Sequence, residues 1–136
     1  MEQPPSFQYE DVLRDLARTR INNFERTAQP LGDLRAAAVA VVIIADHDEA
    51  SVLLTRRASS LRAHSGQWAL PGGRFDVGES AEEAALRELR EEVNLDLPET
   101  SVLGLLDDYS TRSGYRITPV VVWADRDAQG LSPNPS

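Results

Sequence analysis

Two rhythms of apolar and polar positions run through this chain. Over "YEDVLRDLARTRINNF", Val12, Leu13, Leu16 and Ile21 recur at roughly helical spacing, which predicts an amphipathic helix over about residues 9–25. The breaker "QPLGD" ends it. The longest apolar run, "AAAVAVVIIA" at 36–45, is rich in β-branched residues and about half the length needed to cross a bilayer. It reads as a buried strand over 36–44. A second strand, 51–56, follows the acidic turn "DHDE" and forms a hairpin with the first. Residues 58–73 carry Ser, His, Gly and the breaker "LPGG", a loop-like composition.

The helical rhythm returns at about 80–93. Ser80 with Glu83 three residues on matches a capping box. Ala84, Ala85 and Leu89 then turn inward, and Arg87 stands four residues from both Glu83 and Glu91, within ion-pair reach of each. Strands are predicted at 101–107 and 116–123, with "TRSG" between them. There is no internal repeat. The order of elements alternates between α and β, and residues 1–136 are expected to form a single α/β domain with a core over 36–123.

Composition narrows the chemistry. An apolar fraction of 41% with 26% charged residues is ordinary for a globular chain. A net charge of −8 argues against partners held by phosphate backbone or anionic lipid, so neither nucleic acid nor membrane is expected. The chain has no cysteine, which excludes disulfides, zinc thiolates and thiol nucleophiles, and no lysine, which excludes Schiff-base chemistry and a lysine P-loop. The first residues, "MEQPPSFQYEDVL", have neither a basic segment nor an apolar core of a secretory signal. A cytoplasmic location is the expectation.

Against that background Glu88, Glu91 and Glu92 stand out. At about 100° per residue they fan across roughly a third of one helix circumference, and like charges four apart repel unless a cation answers them. An oxygen-rich face of this kind suits Mg²⁺ or Mn²⁺, which bridge to substrate phosphates and activate water. A merely solvated acidic face is the alternative that spacing alone leaves open.

A longer pattern decides the matter. From Gly73 the sequence resembles the box of the Nudix hydrolase family, G-x5-E-x7-R-E-U-x-E-E-x-G-U with U aliphatic, through Glu79, Arg87, Glu88, Leu89, Glu91, Glu92 and Leu95. Asn94 alone departs, standing where the family has glycine. That position is expected in the left-handed region just past the helix end, which Asn tolerates best among non-glycine residues. The resemblance implies an α/β/α sandwich around a mixed sheet and hydrolysis of a nucleoside diphosphate linked to a second group. It implies metal binding by Glu88, Glu91 and Glu92, with Glu79 and a backbone carbonyl near Gly72 in supporting positions. Arg87 orients the glutamates.

Upstream, "LLTRRASSLRAHSGQWALPGG" is similar to the extra signature of coenzyme A pyrophosphatases in that family, roughly LLT-x-RS-x3-R-x-H-x-G-x3-FPGG. Ala58 and Leu70 replace its serine and phenylalanine. "DDYSTRSGYRITPVV" also resembles that subgroup, extending the likeness over about 50–122. Arg57 and Arg62 offer planar forks for phosphates, against the plainer reading of surface ion pairs. His64 holds a phosphate or braces the loop. Trp68 stacks a base or, as is commoner for such an aromatic, fills core.

The implied reaction is metal-dependent cleavage of coenzyme A or acyl-CoA to 3′,5′-ADP and a phosphopantetheine. The alternatives are other Nudix specificities (ADP-ribose, dinucleotides, oxidised nucleotides) and a nucleotide-binding module with little turnover. Family members continue beyond the point corresponding to "LSPNPS" with a further strand and helix, so the sandwich is expected to lack its C-terminal strand and helix. Asp107, Asp108, Asp125 and Asp127 are the downstream carboxylates left to assist, Asp125 and Asp127 being expected in a turn. An uncovered sheet edge invites pairing, and a homodimer is a further expectation from the family.

Overall fold

The computed structural model describes residues 10–56 and 68–127. A mixed sheet of six strands forms its centre. Strand β1 (Arg35–Asp46) lies parallel to β8 (Tyr115–Asp127), and β2 (Glu49–Val52) and β6 (Val102–Leu105) flank this pair in the order β2-β1-β8-β6. Two short strands extend the sheet at its other end: β5 (Gly72–Arg74) pairs antiparallel with β1, and β7 (Tyr109–Ser110) with β8. Strands β3 (Thr55–Arg56) and β4 (Trp68–Ala69) make a separate antiparallel ribbon.

The uninterrupted apolar run of β1 is explained by burial on both faces. Ala38, Ala40, Val42 and Ile44 join Val120, Val122 and Ala124 beneath helix α2 (Ala81–Val93), whose Ala84, Ala85, Leu89 and Val93 complete the main core. Leu89 is fully buried there, a transfer worth about 1.5–3 kcal/mol. On the opposite face Val41, Ile43, Val121 and Trp123 pack with Leu13, Ala17 and Ile21 of helix α1 (Asp11–Asn22). The expected α/β/α layering of the Nudix fold around a mixed sheet is therefore present, α1 forming one outer layer and α2 the other.

The capping box is formed as expected. Ser80 Oγ accepts from the Glu83 amide at 3.1 Å while Glu83 Oε1 accepts from the Ser80 amide at 3.0 Å. At the far end Asn94 sits at φ 58°, ψ 29°, in the left-handed region, and the Asn94 and Leu95 amides both reach back to the Leu89 carbonyl. The β1–β2 hairpin turns on His47 and Asp48, both with positive φ, the backbone of a two-residue turn whose twist matches the strands.

Several expectations need correction. Helix α1 stops at Asn22, short of residue 25, and two of its pattern-defining residues, Val12 and Leu16, are exposed rather than inward-facing. The strand expected over 51–56 divides between β2 and the β3–β4 ribbon, and the segment read as loop up to Gly73 contains β4 and β5. Strand β6 ends at Leu105. Strand β8 runs on through Asp125 to Asp127, where a turn was expected, because its parallel pairing with β1 continues, past an irregularity, to Ala45 opposite Asp127.

Candidate active site

The site assembles where α2 crosses the β5 edge of the sheet. The inward-facing alanines Ala84 and Ala85 let the helix lie close to the strands, and Leu89 fixes its rotation. Glu88 is thereby directed toward Gly73 and Glu92 toward Gly72. The two glycines are required by this close approach. A Cβ built on Gly73 would lie 2.4 Å from Glu88 Oε1, and one on Gly72 would lie 2.3 Å from the Ala38 carbonyl oxygen. Only glycine admits both the sheet pairing and the helix carboxylates. The Gly72 amide donates to Glu92 Oε2 at 3.2 Å, a direct bond between β5 and the carboxylate face.

Arg87 is the centre of the electrostatic network. Its guanidinium donates from Nε to Glu79 Oε2 at 2.8 Å, from Nη1 to Glu88 Oε1 and Glu91 Oε2 at 3.0 Å each, and from Nη2 to Glu79 Oε1 at 3.1 Å. Nη2 also donates to the Arg74 carbonyl at 2.9 Å, and Nε lies 3.1 Å from Asp76 Oδ2. The paired bonds to Glu79 use the planar fork that distinguishes Arg from Lys. They hold the Arg87 guanidinium charged, above its ordinary range, with burial opposing and Glu88 adding to the effect. The Glu79 carboxyl is lowered in turn, chiefly by its hydrogen bond from Arg87, against partial burial and with help from the Asp76 amide.

Arg87, Glu79, Glu88 and Glu91 are thus brought together as the motif implied, and Glu92 joins them through Gly72. The expected bridge from Arg87 to Glu83 does not form, because the Glu83 carboxylate is engaged at the capping box. Asp76 and the Arg74 carbonyl were not foreseen. The Asp76-x-x-Glu79 spacing was the available signal, since the Asp76 amide donates to Glu79 Oε1 at 2.7 Å and closes that loop. Arg57, Arg62 and His64 lie outside the described residues, as does Ala58; for Trp68 only the backbone, in β4, is described.

Asp108, one of the downstream carboxylates considered for assistance, has a different place. It is buried, and it accepts from Arg26, from Thr118 Oγ1 at 2.7 Å and from the Gln29 amide at 3.0 Å. Burial raises its pKa, but the Thr118, Gln29 and Arg26 contacts outweigh that and leave it lowered. Asp107 Oδ1 accepts from the Thr27 amide at 2.7 Å. Both acids tie the chain between α1 and β1 to the sheet.

The carboxylate face offers only oxygen donors, the right chemistry for Mg²⁺ or Mn²⁺. The glycine edge leaves the Glu88 carboxylate room that a side chain would fill. Among the described residues, however, no three acidic or histidine side chains converge into a ready metal cluster. Arg87 neutralises two of the α2 glutamates, Glu88 and Glu91. A cavity of about 510 Å³ elsewhere is lined by Arg14, Arg18, Ser101 and Trp123, and none of the α2 glutamates borders it. Among the described residues no helix is long and apolar enough to cross a membrane.

Comparison with known proteins bears on the family and the fold. The NUDIX domain family matches residues 34–134. A Nudix hydrolase named NudL from Pectobacterium atrosepticum, described as uncharacterized, is 46% identical over 94 residues, covering 68% of this chain and 48% of its own. The chain spans about half the length of the curated relatives it matches. Among solved structures, a MutT/nudix family protein from Enterococcus faecalis superposes with a TM-score of 0.59 at 21% identity, covering 91% of this chain and 51% of that one. A bifunctional NMN adenylyltransferase/ADP ribose pyrophosphatase from Francisella tularensis, complexed with AMP and a Mn ion, gives 0.54 at 22%, covering 93% and 36%. These two likenesses establish the fold. With the NUDIX domain matched over residues 34–134 and a Nudix hydrolase relative 46% identical over 68% of this sequence, the chain belongs to the Nudix hydrolase family.

Proposed function

We propose that this protein is a divalent-metal-dependent diphosphatase whose substrate is coenzyme A or an acyl-CoA. The observation that carries the hydrolytic reading is the meeting of Glu88 and Glu92 with the Gly72–Gly73 edge, with Arg87 holding Glu88 and Glu91 beside one another. Mg²⁺ or Mn²⁺ would be held by Glu88, Glu91 and Glu92, with Glu79 and the Gly72 backbone in support. When bound, such an ion polarises a phosphoryl oxygen and lowers the pKa of a coordinated water.

The chain's own residues supply the rest. Arg87 fixes Glu79 rigidly and presents Glu88 and Glu91 on one side of α2. Glu88, Glu91 and Glu92 are the carboxylates available to take the proton from the attacking water. As the water oxygen bonds to one phosphorus, the bridging P–O bond breaks, and the products are 3′,5′-ADP and (acyl-)phosphopantetheine.

The substrate assignment rests on the resemblance of residues 53–73 to the coenzyme A pyrophosphatase signature. One structural relationship supports it. The described residues on either side of that segment, Arg56 and Trp68, pair in the β3–β4 ribbon, and Trp68 stands three residues before Pro71 and the glycine edge. In this reading Arg57, Arg62 and His64 contact phosphate groups of the substrate. A Nudix domain over residues 34–134 acting in the cytoplasm as a homodimer completes the proposal.

Mass-spectrometric product analysis tests it. The chain is incubated with Mg²⁺ or Mn²⁺ and, separately, with coenzyme A, ADP-ribose and NADH. Release of 3′,5′-ADP from coenzyme A at the highest rate is the expected result. Preferential turnover of ADP-ribose or NADH would overturn the substrate while leaving the diphosphatase, and binding without turnover of any of the three would overturn both.

A further inference from the structure

The cavity of about 510 Å³ beside α1 is walled by that helix, by the C-terminal part of β8 and by the 3₁₀ turn Glu99–Ser101. Its Trp123 belongs to the cluster on the α1 side of the sheet, and Asp125, two positions on, shares that face. Helix α2 covers the opposite face. Along the sheet, Trp123 pairs with Ile43 of β1, whereas Gly73 of the glycine edge pairs with Ala38, roughly 17 Å away on the same strand. The cavity is thus remote from the carboxylate face in both directions, and its size is that of a small-molecule site.

Its chemistry is also the reverse of that face. Arg14 and Arg18 stand four residues apart on α1, one position on from Leu13 and Ala17, which pack on the sheet, so both lie along one flank of the helix. Like charges at that spacing repel. In a chain of net charge −8 acids are plentiful, yet among the described residues Arg18 forms no ion pair. The carboxylate oxygens nearest the Arg14 guanidinium, Asp11 Oδ1 at 3.6 Å and Asp15 Oδ1 at 3.9 Å, are too far for hydrogen bonds, and both acids are largely exposed. Arg14 Nε is buried without a hydrogen-bond partner. Asp96 and Asp125, also on the wall, pair with neither arginine. Two guanidiniums therefore border the cavity with donor capacity to spare.

We propose that this cavity is a second ligand site, taking a small organic phosphate monoester. The phosphate dianion answers Arg14 and Arg18, whose planar forks suit its oxygens, and the Thr100 and Ser101 hydroxyls are further donors. The space is more than one phosphate fills, and Leu97, Pro98 and Trp123 give it an apolar wall for an organic body, with the Asp125 carboxylate to accept from a hydroxyl of that body. The site needs no metal ion and is independent of the diphosphatase reading. Its ligand packs beside Asp96, Leu97 and Pro98, the segment that follows the left-handed turn at Asn94 and ties the end of α2 to the core through buried Leu95 and Leu97.

Calorimetry of ribose 5-phosphate binding in EDTA, which keeps metal ions from bridging a phosphate to the α2 glutamates, tests this. Wild type is expected to bind it, and to bind ribose or inorganic phosphate at least about tenfold more weakly, since each lacks one part of the ligand. Arg14→Gln and Arg18→Gln are each expected to weaken binding about tenfold or more, as loss of a hydrogen bond to a charged group does. Arg20→Gln, which removes the same charge from α1 away from the cavity wall, is expected to stay within about twofold of wild type. Thermal melts identify any variant that fails to fold; because Arg18 is exposed, unchanged melting of Arg18→Gln is expected. No binding by wild type, undiminished binding by folded Arg18→Gln, or an equal loss in Arg20→Gln would overturn the proposal. Ribose or inorganic phosphate binding as tightly as ribose 5-phosphate would overturn the assignment of a phosphate monoester.

Discussion

Arg87 grips both oxygens of Glu79, at 2.8 Å and 3.1 Å, across eight residues of sequence. That pair fixes the loop before α2 to the helix itself, and the same guanidinium then reaches Glu88 and Glu91. The charge of Glu88 and Glu91 is thereby answered from within the motif.

Arg87→Ala is accordingly expected to do two things. Stripping the partner from two largely buried carboxylates, Glu79 and Glu88, should lower unfolding free energy by about 2 kcal/mol, read by urea titration. Loss of orientation should lower kcat/KM by at least about tenfold. Arg87→Lys should recover little of either, because an ammonium cannot make the paired contacts to Glu79.

The adjacent glycines should respond differently to the same substitution. Gly72→Ala drives a methyl group into the Ala38 backbone carbonyl, which cannot yield without disturbing the β1–β5 pairing. A loss of stability of about 1–3 kcal/mol is expected. Gly73→Ala instead meets the end of the Glu88 side chain, which can swing aside. Its melting temperature should change less than that of Gly72→Ala, while its activity falls because Glu88 is displaced. Equal melting temperatures for the two variants would contradict this assignment.

Two carboxylates should contribute to acid sensitivity. The pKa values of Glu79 and Asp108 are both lowered in the folded protein, so each contributes stability that is fully present above its unfolded value, about pH 4 for such groups, and is lost as pH falls through the folded value. Melting temperature should therefore be flat from neutrality to about pH 5 as far as these groups are concerned, then drop. Asp108→Asn should be less stable at pH 7 and should show a shallower drop below about pH 4, since the amide cannot titrate.

Asn94 offers a test of backbone conformation. Its left-handed geometry is tolerated by Asn, preferred by Gly and costly for a residue with an ordinary Cβ. Asn94→Gly should be neutral or slightly stabilising. Asn94→Ala should lose about 1 kcal/mol in a denaturant titration.

The α2 half of the molecule was legible in the sequence because its signals are local: the capping box, the carboxylate spacing and the left-handed Asn94 all lie within sixteen residues. The apolar run of β1 was equally plain. Less was legible where partners are distant in sequence. Nothing near Asp108 signals that Arg26 and Gln29, some eighty residues earlier, bury it, and Asp125 reads as a turn residue until the β1 pairing that carries β8 past it is known. Val12 and Leu16 satisfied the helical period but not the packing, because α1 meets the sheet through Leu13, Ala17 and Ile21 instead. Arg57, Arg62 and His64 were legible only as a motif, and they lie outside the described residues.

The central claim, that the α2 carboxylate face is a metal-dependent hydrolytic centre, is tested most directly by the initial rate of coenzyme A cleavage as Mg²⁺ is titrated, for wild type and for Glu92→Gln. The account predicts turnover that is abolished by chelation, restored by the ion, and reduced at least about 100-fold in the variant, whose fold is unchanged. Turnover that persists without metal, or a Glu92→Gln rate equal to wild type, would contradict it.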